Sequence, residues 1–141
     1  MQLYLDDIRH APPGWVQAYD YLGAIAALRT GKVTEISFDH DLGQGKGKSG
    51  YDVACWLEEA VNDNVVPMPS MSVHSDNPPG RKRIQACIDA IKRRVHAEEQ
   101  RQFKEYLEEA AAIVASWPEW KQKVARQIMA PSHYWDNERL P

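Results

Sequence analysis

The sequence predicts an α/β fold built on a mainly parallel sheet with right-handed crossovers. Three observations lead there. Short apolar runs of strand length recur between segments whose apolar residues repeat at helical spacing. The elements follow in the order β, β, α, β, α, β, α. Three of the strand runs end in acids or in His-Ser, and ligands in such sheets bind outside the carboxyl ends of the strands.

Leu3-Tyr4-Leu5 reads as a buried strand that delivers Asp6 and Asp7 at its C-terminal end. Pro12-Pro13-Gly14 then forbids helix and marks a loop. Trp15 to Tyr19 alternates Trp15, Gln17 and Tyr19 with Val16 and Ala18, as a second strand would. Leu22, Ile25, Ala26 and Leu28 follow at helical spacing, closed by Gly31 at the C′ position. Thr34 to Phe38 is a third strand, with Asp39-His40-Asp41 at its end. Leu42 to Gly50, rich in Gly, Lys and Ser, is expected to be a loop. A helical stripe resumes with Val53, Trp56, Leu57, Ala60 and Val61. Pro67 and Pro69 lead into a fourth strand, Met71-Ser72-Val73, ending in His74-Ser75. Asn77-Pro78-Pro79-Gly80 turns into a helix with Ile84, Cys87, Ile88, Ile91 and Val95 on one face.

Beyond that point the pattern changes. Arg81 to Trp117 contains neither Gly nor Pro, and Lys92 to Gln102 is nearly all polar. A helix above about 25 residues is unusual in a small domain, so the helix is expected either to break near His96 or to project. Phe103, Leu107, Ala110, Val114 and Trp117 form a new apolar stripe that needs a partner surface. Ser116-Trp117-Pro118-Glu119 has capping-box spacing, which predicts a last helix running to Met129 before Pro131. The expected organisation is an α/β domain over 1–96 and a helical extension with its tail over 97–141, with no internal repeat.

Composition narrows the functional classes. The 141 residues are 43% hydrophobic and 26% charged, within the globular range. The net charge of −3 offers no global basic field for nucleic acid. Cys55 and Cys87 lie on apolar stripes without metal-ligand spacing, as buried thiols of a reducing compartment do. Acids interrupt the N-terminal segment before any apolar region forms, and no apolar run reaches the roughly 20 residues of a membrane span. A cytoplasmic protein without membrane partners is the expectation.

The carboxylates carry the chemistry. Asp6 and Asp7 at one strand end and Asp39 and Asp41 at another repel as like charges unless something neutralises them. A hard cation does so, and Mg²⁺ favours a few carboxylates with waters and a phosphate oxygen. Asp6, Asp7 and Asp39 are therefore candidate metal ligands, against a reading as ordinary turn acids. Histidine as a residue type titrates near neutrality, so His40 and His74 are candidate general acids or bases beside Asp39 and Asp41. Gly80-Arg81 opens a helix whose free N–H groups attract anions, and Arg9 could clamp a phosphate with its fork of donors. Gly47-Lys48-Ser49 ends like a phosphate-binding P-loop, but Leu42 stands where that motif begins with glycine. A mobile basic lid bringing Lys48 to a phosphate fits better.

Four motifs occur in one order: Leu3-x-Leu5-Asp6-Asp7-x-Arg9-x-x-Pro12-x-Gly14-Trp15, Ser37-Phe38-Asp39-His40-Asp41-Leu42-Gly43, Gly50-Tyr51-Asp52 and Val73-His74-Ser75-x-Asn77-Pro78-x-Gly80. Together they resemble the cyclic-phosphate-processing receiver-like domains, relatives of response-regulator receivers, over residues 3–95. Singly each motif is weak; the four in order are specific. The resemblance implies a receiver-like (flavodoxin-like) four-stranded parallel sheet of order 2-1-3-4 with a C-terminal helical extension. It implies that Asp6 and Asp7 are an acidic metal pair, that Asp39 stands at the phosphoacceptor position and that Ser75 is the small hydroxyl residue after the fourth strand. Two departures stand out. The proline loop replaces the receiver's first helix, and no fifth strand brings a phosphate-binding lysine. His40, Asp41, His74 and Asn77 look like the subfamily's own equipment, linked to cyclic phosphates at RNA ends or in nucleotides.

The expected activity is Mg²⁺- or Mn²⁺-dependent phosphoesterase chemistry on a cyclic or terminal phosphate of a nucleotide or RNA end. Asp39 either holds metal or attacks as nucleophile. His74 or His40 protonates the leaving oxygen, with Asp41 beside them, while Arg9, Ser75, Asn77, Gly80, Arg81 and Lys48 steady the phosphate. Two other readings stay open. One is a non-catalytic module that binds phosphate, or is phosphorylated, and signals through its extension. The other is an interaction protein with a vestigial site, homodimeric through Phe103, Leu107 and Val114. The tail from Ser132 to Asp136 could cover the site, pack on the extension or stay loose.

Overall fold

The computed structural model describes residues 1–43 and 47–129. The middle of the expected basic lid and the tail from Ser132 to Asp136 lie outside the described residues. Strands β1 (Gln2–Leu5), β2 (Trp15–Ala18), β3 (Glu35–Phe38) and β4 (Ser70–Val73) alternate with helices α1 (Tyr21–Arg29), α2 (Gly50–Asn62) and α3 (Pro78–Ala115), and α4 (Glu119–Met129) follows. The four strands are parallel in the order β2-β1-β3-β4, the receiver-like arrangement. Contacts divide the chain into two compact units, Met1–Glu98 and one beginning at Glu99. No described helix is long and apolar enough to cross a membrane.

The register aligns the strand ends. Leu5 pairs with Ala18 and Phe38, and Phe38 pairs with Val73. Alternate residues point to opposite faces, and Leu3, Leu5, Ile36, Phe38 and Met71 put their side chains into one buried core. Ala24, Ile25 and Leu28 of α1, Val53 and Leu57 of α2, and Ile84, Ile88 and Ile91 of α3 complete it. Burying one such side chain contributes roughly 1.5–3 kcal/mol, so this layer makes the strand ends a rigid platform. The other phase of the strands carries Tyr4, Gln17 and Ser37.

Local chemistry explains the helix ends. Asp20 caps α1 by accepting from the Gly23 amide at 2.7 Å, and Gly31 closes it at φ +67°, which glycine adopts without strain. Helix α2 starts earlier than its apolar stripe suggests, and Gly50 is its first residue rather than loop. The Asp52 carboxylate accepts from both the amide (2.7 Å) and the hydroxyl (2.9 Å) of Ser49, which fixes that start. Gly50 is there for space: a Cβ would stand 1.7 Å from the Asp39 carbonyl oxygen.

Two further differences concern the extension. Helix α3 passes His96 unbroken for 38 residues. Ser116 does not cap α4; its hydroxyl bonds back to the Ile113 carbonyl at 2.6 Å and so helps to finish α3. Gln122 supplies the linkage instead, donating to the Ala115 and Trp117 carbonyls at 3.1 and 2.8 Å.

Candidate metal centre

The sheet ladder runs one residue past each strand and aligns the first residues beyond it. Asp6 N donates to Ala18 O at 3.1 Å, Asp39 N to Leu5 O at 2.8 Å and His74 N to Phe38 O at 3.0 Å. Asp6, Asp39 and His74 thus stand side by side at the carboxyl edge of β1, β3 and β4.

Asp6 is only 1% exposed. Its Oδ1 accepts from the amides of Ile8 (2.9 Å) and Arg9 (2.6 Å), a local turn that swings the chain away from the sheet. Burial by itself raises its carboxyl, but the two amides and the His74 ring outweigh burial and hold it below the ordinary value of 3.8. Asp39 is also buried, and its Oδ1 accepts from the His40 amide at 2.7 Å. Asp7 is half-buried, yet its Oδ1 is buried without a hydrogen-bond partner.

Asp6, Asp7 and Asp39 each offer a carboxylate oxygen, and these atoms lie within 4.8 Å of one another. Three acceptor-only groups crowded together, one with an orphaned oxygen, leave a demand for positive charge. Oxygen ligands of this number and charge fit a small hard cation completed by water or phosphate oxygens. The residues present therefore fit Mg²⁺ or Mn²⁺.

Beside the carboxylates lies a hollow of about 340 Å³, lined by Asp7, Arg9, Asp39, Asp41, Gly43 and Asp76 among others. Arg9 borders it with its guanidinium already engaged. One nitrogen donates to the His74 carbonyl at 2.9 Å, and the other bonds the Asp76 carboxylate. Asp76 is a residue that sequence reasoning missed.

The two histidines differ in their surroundings. His74 bonds through both ring nitrogens, to Ser37 Oγ at 2.7 Å and to Asp6 Oδ2 at 3.1 Å, and stacks on Tyr4 with centroids 4.2 Å apart. His40 bonds through Nδ1 to Asp41 at 2.8 Å, and Asn77 Nδ2 supports Asp41 at 3.1 Å. These two bonds, with burial opposing them, hold the Asp41 carboxyl below 3.8. Gly80 makes room for the His40 ring, since a Cβ there would meet its Cγ at 2.2 Å.

The expected phosphate binders are largely occupied within the protein. Asn77 caps α3, taking the Gly80 amide on Oδ1 at 3.0 Å, and the Arg81 amide goes to the Asn77 carbonyl at 2.8 Å. Ser75 is fully buried and its Oγ accepts from the Asn77 amide at 3.2 Å. The Arg81 guanidinium sits on the Ser75 carbonyl, Nε at 2.9 Å. Lys48 Nζ lies 3.3 Å from Asp52 and 5.6 Å from the centre of the Tyr21 ring. It also borders a smaller hollow of about 210 Å³ with His40, Asp41 and Ser49.

Strand phase could have found Ser37, because Tyr4 and Ser37 occupy partner positions with polar or amphipathic side chains inside two apolar strands. Gly50 and Gly80 carry no such signal; only the backbone and ring that approach them explain them.

No curated protein and no solved structure matches the chain. The family model for the cyclic-phosphate processing receiver domain matches residues 1–90, and the chain belongs to that family.

Proposed function

We propose that the protein is a divalent-metal-dependent phosphoesterase acting on a cyclic or terminal phosphate of a nucleotide or RNA end. The observation that carries this reading is the set of three carboxylates within 4.8 Å, with the orphaned Asp7 Oδ1, beside an open hollow. Membership in a family whose description names cyclic-phosphate processing supports it. Asp6, Asp7 and Asp39 would hold Mg²⁺ or Mn²⁺, whose charge polarises a phosphoryl oxygen.

The protein's own groups take the other roles. His40 is the proton-transfer group, because Asp41 orients its Nδ1 and leaves the second ring nitrogen for the leaving oxygen. His74, bonded at both nitrogens, serves the site from behind. Arg9 offers positive charge at the wall of the hollow, where Asp39 and Asp41 also stand.

A second reading is a module that binds phosphate, or is phosphorylated on Asp39, without turnover. The place of Asp39 just after β3, grouped with Asp6 and Asp7, favours it, since that is where a receiver carries its phosphoacceptor. Metal-dependent ring opening of 2′,3′-cyclic nucleotides, or release of terminal phosphate, separates the two. The enzyme reading expects turnover with Mn²⁺ that Asp39→Asn abolishes and His40→Ala reduces at least about 100-fold. Binding without turnover supports the module. Metal at 100 times its Kd adds about 2.7 kcal/mol to stability; a Tm unmoved by either metal would count against both readings.

A further inference from the structure

Ser37 stands in the middle of β3, two residues before Asp39, with Tyr4 and Ser72 as its register partners. Its side chain is buried, and a buried hydroxyl is costly unless it is bonded. The bond it makes is to Nδ1 of His74, at 2.7 Å. That ring lies nearly flat on Tyr4, 12° between planes, and turns Nε2 to Oδ2 of Asp6 at 3.1 Å. The imidazole is therefore held at both nitrogens and against one face.

Hydrogen-bond chemistry decides where its proton sits. Asp6 Oδ1 already accepts from two backbone amides, so the carboxylate acts as an acceptor and its Oδ2 needs a donor. Nε2–H is that donor. In a neutral ring Nδ1 is then an acceptor, and the Ser37 hydroxyl is the group that donates to it.

We propose that Ser37 is a positioning residue: by donating to Nδ1 it holds the His74 ring with Nε2–H turned to Asp6, and His74 in turn fixes the Asp6 carboxylate in the acidic cluster. The inference rests on the metal-site reading above, because orientation of Asp6 matters most when that carboxylate is a ligand. With two amides on one oxygen and His74 on the other, rotation of the Asp6 carboxylate is blocked from both sides. Partners placed behind a metal ligand in this way typically change affinity 10–100-fold when removed.

The test uses the full chain labelled with ¹⁵N. Long-range ¹H–¹⁵N correlations of the His74 ring, recorded without metal, are expected to show the Nε2–H tautomer; an Nδ1–H ring overturns the proposal. Ser37→Ala is expected to shift the His74 Nδ1 resonance, to weaken the Nε2–H correlation as the ring loses its orientation and to weaken Mn²⁺ binding about 10-fold or more, and Ser37→Thr to restore all three. Ring signals unchanged in Ser37→Ala overturn the proposal, as does unchanged affinity where the wild type binds Mn²⁺. A wild type that binds no Mn²⁺ defeats the metal-site reading instead, and the metal-free spectra still decide whether Ser37 holds His74. Should Ser37→Ala fail to fold, the wild-type spectrum alone retains the power to refute.

Discussion

The carboxyl edge of the sheet and the helical segment beyond Glu98 spend their charged residues in opposite ways. At the sheet edge Asp6 is 1% and Asp39 9% exposed, and bonds to backbone amides and a histidine ring hold them in place. Along α3 the buried residues end at Ile91, and α4 has none among the described residues. Two ion pairs of α3 beyond Ile91, Arg101–Glu105 at 4.0 Å and Lys104–Glu108 at 3.8 Å, are exposed i,i+4 pairs worth about 0.3–0.5 kcal/mol each. The contrast teaches that a carboxylate's meaning depends on what surrounds it. Exposed acids on a helix need only water, whereas buried acids crowded at a strand end need donors or a cation.

The same contrast holds for apolar residues, and mutating them tests it most sharply. Leu57 is fully buried while Leu107 is 50% exposed. Leu57→Ala is expected to lower the unfolding free energy by about 2–5 kcal/mol, and Leu107→Ala to change it by less than about 0.5 kcal/mol. Urea denaturation at low protein concentration measures both. A large loss for Leu107→Ala would show that the stripe of Phe103, Leu107 and Val114 is covered, as a homodimer would cover it, and would break the comparison.

A middle-sized effect is expected at Asp7, whose buried Oδ1 lacks a partner and whose carboxylate is grouped with two others. Asp7→Asn should raise the stability of the metal-free protein by about 1–2 kcal/mol while removing stabilisation by Mn²⁺. Thermal melts with and without the metal read the reversal; a loss of stability in the metal-free protein would mean that the carboxylates are not in conflict.

The smallest effect is at Asp52, half-buried at the start of α2. Asp52→Ala should cost about 1 kcal/mol at neutral pH. The Ser49 amide, ahead of an opposing burial effect, holds the Asp52 carboxyl below 3.8 in the fold. A depressed folded-state value means that this stability is fully present above the unfolded value and is lost as pH falls through the folded one. The difference between wild type and Asp52→Ala should therefore shrink only below about pH 4. A difference that is already gone at pH 6 would reject the cap.

Much of the fold was legible because its signals are local. The apolar run Leu3-Tyr4-Leu5, the proline loop at Pro12-Pro13 and the stripe from Val53 to Val61 each follow from a few neighbouring residues, and the strands and helices form at those places. Where reading failed, a contact that residue spacing does not show was responsible. Gly50 looked like loop because glycine usually marks flexibility, yet it begins a helix packed against the Asp39 carbonyl. Ser116 had the spacing of a cap but bonds backwards to Ile113, since Pro118 and Glu119 start the next helix without it.

By itself the sequence determined that acids and His-Ser follow three short strands of an alternating β/α chain, and its motifs pointed to the family. Periodicity and turn chemistry act within a few residues, so they survive in one dimension. Only the tertiary structure decided that the ladder aligns Asp6, Asp39 and His74, and that Asp7 keeps an unpartnered oxygen beside them. It also decided that His74 is bound by Ser37, which is 37 residues away along the chain. Those facts depend on parallel register and on packing between separate strands, and the hydrogen bonds they allow form only when the sheet closes.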